Sequence, residues 1–142
     1  MDAIEYLKQA RILQKAFDAK VKVLEEKHHS LFLGVSVGGS ERVQTSPKLD
    51  GNQSAIAEFE DLRMEIAVSE VELIRKKNEI IDTVRMLSDP DQVDVLIGRW
   101  VERKKVEQIA IDMNYSYRQV QRIHKKGIKK LQKIIDKMDI IS

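Results

Sequence analysis

The sequence predicts an all-α protein, with two long amphipathic helices followed by a run of shorter ones. Three observations carry this. Apolar residues recur at three- and four-residue steps over most of the chain. Charged residues make up 34% beside 42% apolar, a balance that suits long helices lapped by solvent better than a thick globule. Two prolines and six glycines are few for the frequent turns of a β fold. At 142 residues there is room for one ordinary domain, or for a small domain with an elongated appendage.

Taken in order, Ala3, Tyr6, Ala10, Leu13, Phe17 and Leu24 share one face, so residues 2–28 read as the first helix, with Asp2 placed to cap it. The stretch from Gly34 to Gln53 gathers four glycines, a proline and many small polar residues, which predicts a loop at about 31–53. Ser54 is placed to cap a second long helix. Its stripe runs through Ile56, Phe59, Leu62, Ile66, Leu73, Ile80, Val84 and Leu87, interrupted by Ser69 and by Lys76 or Lys77. Neither helix can bury its stripe alone. An antiparallel helical hairpin, or a coiled coil with a second copy, is expected, with a homo-oligomer and preferably a dimer as the assembly. Ser88-Asp89-Pro90 then reads as a break and a new start, dividing 1–87 from a region of shorter helices at 88–142.

Several classes are set aside on composition. The absence of cysteine removes disulfides and thiolate zinc sites and fits a reducing compartment. No apolar run approaches the roughly 18 to 20 residues that cross a bilayer, and MDAIEYLKQAR lacks the apolar core of a secretory leader. The expectation is a cytoplasmic protein with no membrane partner. Adjacent His28 and His29 diverge by about 100° on a helix and have no third ligand near in sequence, so no metal is expected. There is no phosphate-cradling glycine loop, no HExxH and no serine–histidine nucleophile context. No catalytic residue, no cofactor and no enzyme are expected.

Charge is unevenly spread. Residues 54–94 carry five basic and eleven acidic side chains, a net of −6, whereas residues 95–133 carry eleven basic and three acidic, a net of +8. A basic block of this density points to a polyanion, although a solvated lysine face would look the same by charge alone. Within that block Val93, Leu96, Ile97, Trp100 and Val101 make one short helix with an apolar face, and Glu102-Arg103-Lys104 turns the chain. Trp100 sits on that apolar stripe and reads as a core anchor. Residues 106–126, VEQIAIDMNYSYRQVQRIHKK, are the informative stretch.

There, Ile109, Ala110 and Met113 share a face of about two helical turns, and Ala110 is small where a second helix must cross. Asn114 can take the left-handed conformation that ends a helix. Ser116 caps the next helix, with Gln119 three residues on completing a capping box. Val120 and Ile123 point back at Ile109, Ala110 and Met113, and together these five make the core of a helix-turn-helix. Tyr117, Arg118, Gln121, Arg122 and Lys125 then face outward as candidates for reading base edges in double-stranded DNA. Lys104, Lys105, Lys126, Lys129 and Lys130 flank them as phosphate-contact candidates. A helical hairpin with no nucleic-acid role is the plainer alternative, against which the outward side chains count.

The run IGRWVERKKVEQIAIDMNYSYRQVQRIHKKGIKKL resembles the C-terminal helix-turn-helix (region four) of bacterial sigma factors. The whole chain, including RVQTSP before the second helix, resembles a family of small phage and prophage proteins related to the ArpU-like and RinA-like regulators of late transcription. Ile109-Ala110, Tyr115-Ser116, Arg118-Gln119-Val120 and Arg122-Ile123-His124 carry the match, which covers most of residues 1–133. Glycine usually stands where Arg103 is, and a serine or threonine cap where Lys105 is. Asn114 replaces a glycine before Tyr115, and Gly127 falls mid-helix where the family prefers alanine. The resemblance implies a sequence-specific regulator of phage type acting on late genes in the bacterial host cytoplasm. It implies RNA polymerase as a second partner, for which the acidic stripe around Glu58, Glu60, Asp61, Glu65, Glu70 and Glu72 is a candidate surface. Two other functions stay open: a DNA-packaging subunit of small-terminase type, and a polymerase-binding module without base readout.

Overall fold

The computed structural model describes residues 1–33 and 49–141. Helix α1 spans Ala3–His28 and runs on as a π-helical turn, His29–Leu33; α2 spans Leu49–Val84. Helix α3, Pro90–Leu96, widens into a π-helical turn at Ile97–Val101. Helices α4, Val106–Met113, and α5, Tyr117–Ile141, follow. No strand occurs among the described residues, and the protein is all-α.

The chain forms two compact units, one of Met1–Leu13 with Leu73–Ser142 and one of Gln14–Glu72. This division falls elsewhere than the break at residue 87. The first turns of α1 and the last turns of α2 bury their apolar side chains among α3 and α5, which ties them to the C-terminal helices.

In the 14–72 unit α1 and α2 run antiparallel. Lys20 Nζ donates to Ser69 Oγ at 2.8 Å, Lys27 lies 3.6 Å from Glu58, and the His28 and Phe59 rings are 5.9 Å apart. Ser69, a gap in the apolar stripe, is thus where a lysine from the facing helix finds an acceptor. Phe59 is buried and Leu62 and Ile66 are half-buried, but Ile56 is exposed. Helix takes up both ends of the stretch 31–53 expected to be a loop. Residues 31–33 and 49–53 are helical, and Ser54 lies inside α2 instead of capping it. Extending a long helix adds one hydrogen bond per residue fixed, which offsets the cost of about 1 kcal/mol for including Gly51. Residues 34–48, and with them the RVQTSP segment, lie outside the described residues.

The other unit has the larger core. Leu7 from α1, Ile80 from α2, Leu96 from α3 and Leu131 from α5 are all essentially without exposure, and Trp100 and Ile135 join them. Each such side chain contributes roughly 1.5–3 kcal/mol by leaving water. Leu7 extends the α1 face beyond the residues read from periodicity.

Helix ends in this unit are closed by side chains. Asp2 Oδ2 accepts from the Glu5 amide at 3.2 Å, and Gln132 Oε1 accepts from the Ala3 amide while its Nε2 donates to Met1 O at 2.8 Å. These bonds hold the start of α1 against α5. Asp89 Oδ1 accepts from the Asp91 amide at 2.9 Å, with Pro90 beside it where no amide is needed.

Gly127 is buried at the crossing of α3 and α5. A Cβ there would lie 3.3 Å from Leu96 Cδ1 and 3.4 Å from Gln92 Cβ, so the mid-helix glycine serves a close approach of the two helices. Gly98 has the same use, because a Cβ would sit 3.4 Å from Ile109 on α4.

Between α3 and α4 the chain turns through Arg103, whose φ of 60° is left-handed. The Glu102 amide donates to Ile97 O and the Lys104 amide to Gly98 O, both at 2.9 Å, so the turn is held on either side of it. A non-glycine residue in this conformation costs about 1–2 kcal/mol. Arg103→Gly is therefore expected to raise unfolding free energy by about 1 kcal/mol, read by urea denaturation. A loss of stability would show that the arginine side chain outweighs the backbone strain.

Candidate functional site

The site is built on the junction of α4 and α5. Asn114 ends α4 with φ 60° and ψ 42°. Its amide donates to Ile111 O at 3.2 Å and the next amide, Tyr115, reaches back to Ala110 O at 2.9 Å. These two bonds form the Schellman closure, which satisfies carbonyls that a helix end would leave open. Ser116 opens α5 at once. Its Oγ accepts from the Gln119 amide at 3.1 Å and Gln119 Oε1 accepts from the Ser116 amide at 3.3 Å, a reciprocal capping box. Lys105, at the start of α4, has extended backbone and no side-chain capping bond.

One helix thus closes and another opens within three residues, Asn114 to Ser116. Packing then settles which side of α5 is covered. Ile109, Ala110, Val120 and Val95 of α3 form a second buried cluster, with Met113, Tyr115 and Ile123 packed on its edge. Val120 is 1% exposed. Tyr115 also donates its hydroxyl to Asp91 Oδ2 at 2.7 Å, which pins the turn to the first turn of α3. The adjacent carboxylate raises the Tyr115 pKa by hydrogen bond and charge.

Opposite that cluster, Tyr117, Arg118, Gln121, Arg122 and Lys125 are all exposed. Lys126, Lys129 and Lys130 continue the exposed cations along α5, and Lys105 is exposed on α4's side of the turn. Lys104 differs from the other lysines. It lies 3.1 Å from Asp112 Oδ2 and 3.5 Å from Glu102 Oε2, and these partners raise its pKa while it holds the Asp112 carboxylate below the ordinary range. Its charge is spent within the unit.

Helix α5 is electrostatically frustrated on its own. Residues 113–135 contain seven arginines and lysines and no carboxylate. Arg118/Arg122, Arg122/Lys126, Lys125/Lys129, Lys126/Lys130 and Lys129/Lys133 each stand four apart. Like charges at that spacing destabilise a helix by about 0.2–0.5 kcal/mol a pair. A polyanion laid along the helix would offset these repulsions.

Trp100 is buried in the core cluster, and its Nε1 donates to His124 Nε2 at 3.0 Å. The two rings also stack, with centroids 6.0 Å apart. His124 therefore accepts at Nε2 and is neutral, with its proton on Nδ1. Burial, and secondarily the Arg99 charge, lower its pKa below the ordinary 6.5. The guanidinium of Arg11, from α1, lies 4.6 Å from the Trp100 ring centroid and donates to Arg99 O at 3.4 Å. Sequence reasoning missed Arg11 and Arg99, because nothing in local spacing links residue 11 to residue 100. Arg99 and His124 line an open cleft of about 360 Å³ with Tyr117 and Gln121 at its rim and Val95 and Val120 in its wall. Among the described residues no group of three or more histidines and carboxylates is placed to hold a metal ion, and no helix is long and apolar enough to cross a membrane.

Comparison with models of known families, with curated proteins and with solved structures gives no significant match.

The half-buried His124 sets a pH dependence. The unfolded chain takes up a proton near pH 6.5, whereas the folded state resists it until lower pH, so stability present above 6.5 falls as pH drops through that range. The melting temperature is expected to decline between pH 7 and pH 5.5, with a flatter decline in His124→Asn. Identical slopes for the two proteins would dismiss His124 as the source.

Proposed function

We propose that α4 and α5 form a helix-turn-helix of the sigma region-four type that binds double-stranded DNA, and that the protein regulates transcription in a phage or prophage setting. The single observation that carries this reading is the division of α5: Val120 is sealed against Ile109 and Ala110 while Tyr117, Arg118, Gln121, Arg122 and Lys125 stand in solvent. These types suit base edges in a major groove, where an arginine fork fits guanine and a glutamine amide fits adenine. Lys105, Lys126, Lys129 and Lys130 supply the sequence-independent grip on phosphates, without Lys104, which is held by Asp112. The five like-charge pairs along α5 favour a polyanion over a plain solvated face.

Fragments of host and phage DNA selected on the full chain, then footprinted, would identify the preferred site. On that site Arg118→Ala or Arg122→Ala is expected to weaken binding by about 1–3 kcal/mol and to relax specificity at one base position. Equal affinity of the wild type and the Arg118→Ala/Arg122→Ala double variant for selected and random fragments would end the base-reading proposal. Lys129→Ala is expected to weaken all sequences alike and to lower the slope of log affinity against log salt by roughly one unit. An unchanged slope would take Lys129 off the phosphate track.

A further inference from the structure

Helix α2 has two apolar faces, and only one is covered. Phe59, Leu62, Ile66, Ser69, Leu73, Ile80 and Thr83 lie on the side that meets α1: Ser69 bonds Lys20, Phe59 meets His28, and Thr83 Oγ1 lies 2.9 Å from the Tyr6 hydroxyl. On the other side Met64 is 68% exposed, Val71 53% and Ile74 50%, with Ala67 and Asn78 also exposed. Writing Met64 as heptad position a, these five residues fill a, d, a, d and a without a break. Glu60 occupies the d position before them; Ile81, at the d position after, is packed on the core with Leu7, Ile80 and Leu96 and closes the stripe. Val68, 60% exposed at the neighbouring e position, widens it.

The geometry points to a second copy of this chain as the occupant, paired with α2 as a parallel two-stranded coiled coil over residues 64–78. Charge decides both partner and direction. In a parallel pair each g residue meets the e residue five places later on the partner helix. Glu70 is at g and Arg75 at e, so two symmetry-related Glu70–Arg75 pairs flank the seam; Lys77 and Asp82 stand at the same offset. An antiparallel pair that sets Glu70 against its own copy also sets Arg63 against Lys77, and both repel. β-Branched Val71 at a and Asn78 at a later a position suit two parallel strands in a fixed register, since an asparagine there meets its own copy across the axis. This inference stands apart from DNA binding, because it concerns a different helix face and is read without nucleic acid.

The test is sedimentation equilibrium of the full chain over a concentration series. A dimer is expected. Val71→Asp/Ile74→Asp, at positions already half in solvent, is expected to give a monomer with unchanged helix content by circular dichroism. Glu70→Arg alone and Arg75→Glu alone are each expected to weaken dimerisation by about tenfold, because both flanking pairs turn repulsive. An equimolar mixture of those two variants, and the double swap in one chain, should each restore it. A monomeric wild type, a trimer or ring, or a dimer indifferent to the single swaps would overturn the inference.

Discussion

The turn from Asn114 to Ser116 is the constraint on which the C-terminal unit depends. Three residues close one helix, satisfy the carbonyls of Ala110 and Ile111, open the next helix and satisfy the amide of Gln119. Without the left-handed Asn114 the two helices would have to run on or separate through a longer link. With it, the Val120 side of α5 has only the Ile109–Ala110 surface to rest on, and the opposite side has only solvent. Two glycines let the neighbouring elements accept this arrangement. Gly98 lets α4 approach the turn after α3 through Ile109, and Gly127 lets α5 approach α3 at Gln92 and Leu96. The Tyr115–Asp91 hydrogen bond then locks the turn to α3.

Electrostatics follow from that packing. Because α5 buries an apolar stripe of Val120, Leu131 and Ile135, its cations are confined to the outer faces and crowd one another. Acidic residues that could relieve them are absent from residues 113–135; of the two that flank this stretch, Asp112 is held by Lys104 and Asp136 accepts from Gln132. Under the proposed reading, that cost in the isolated protein is what a phosphate backbone would offset. The cations nearer the core are handled differently. Arg11 lies over the face of Trp100, and His124 stays neutral by accepting the indole proton donor. Placing a half-buried imidazole there without a charge avoids adding a third cation beside Arg11 and Arg99.

Helix α2 separates two tasks by face. Both sides keep a seven-residue repeat, Phe59, Ile66, Leu73 and Ile80 on the covered side and Met64, Val71 and Asn78 on the exposed one, and the exposed stripe begins after Glu60. Residues that break the inner stripe have partners of their own: Ser69 accepts from Lys20, and Lys76 pairs with Glu79 at 3.1 Å. Ser69, which looks like a defect along the stripe, is a contact across it, and Lys76 is answered within its own helix.

What sequence alone determined was local. The all-α class, the caps at Asp2, Asp89 and Ser116, the left-handed Asn114 and the inward set Ile109, Ala110, Met113, Val120 and Ile123 depend on residues within one or two turns of each other, where spacing dictates which side chains meet. Tertiary structure decided what depends on distant partners. Gly127 is useful only because Leu96 crosses it; Lys104 and its neighbour Lys105 part company because Asp112 lies within reach of the first. The N-terminal residues 1–13 join the C-terminal helices through Gln132 and Trp100, contacts more than 85 residues apart that no local period encodes. Likewise, periodicity revealed the apolar stripe of α2 that α1 covers, but exposure was needed to find the second one. A stripe announces that burial is required, whereas only the packed chain shows which burial has already been met.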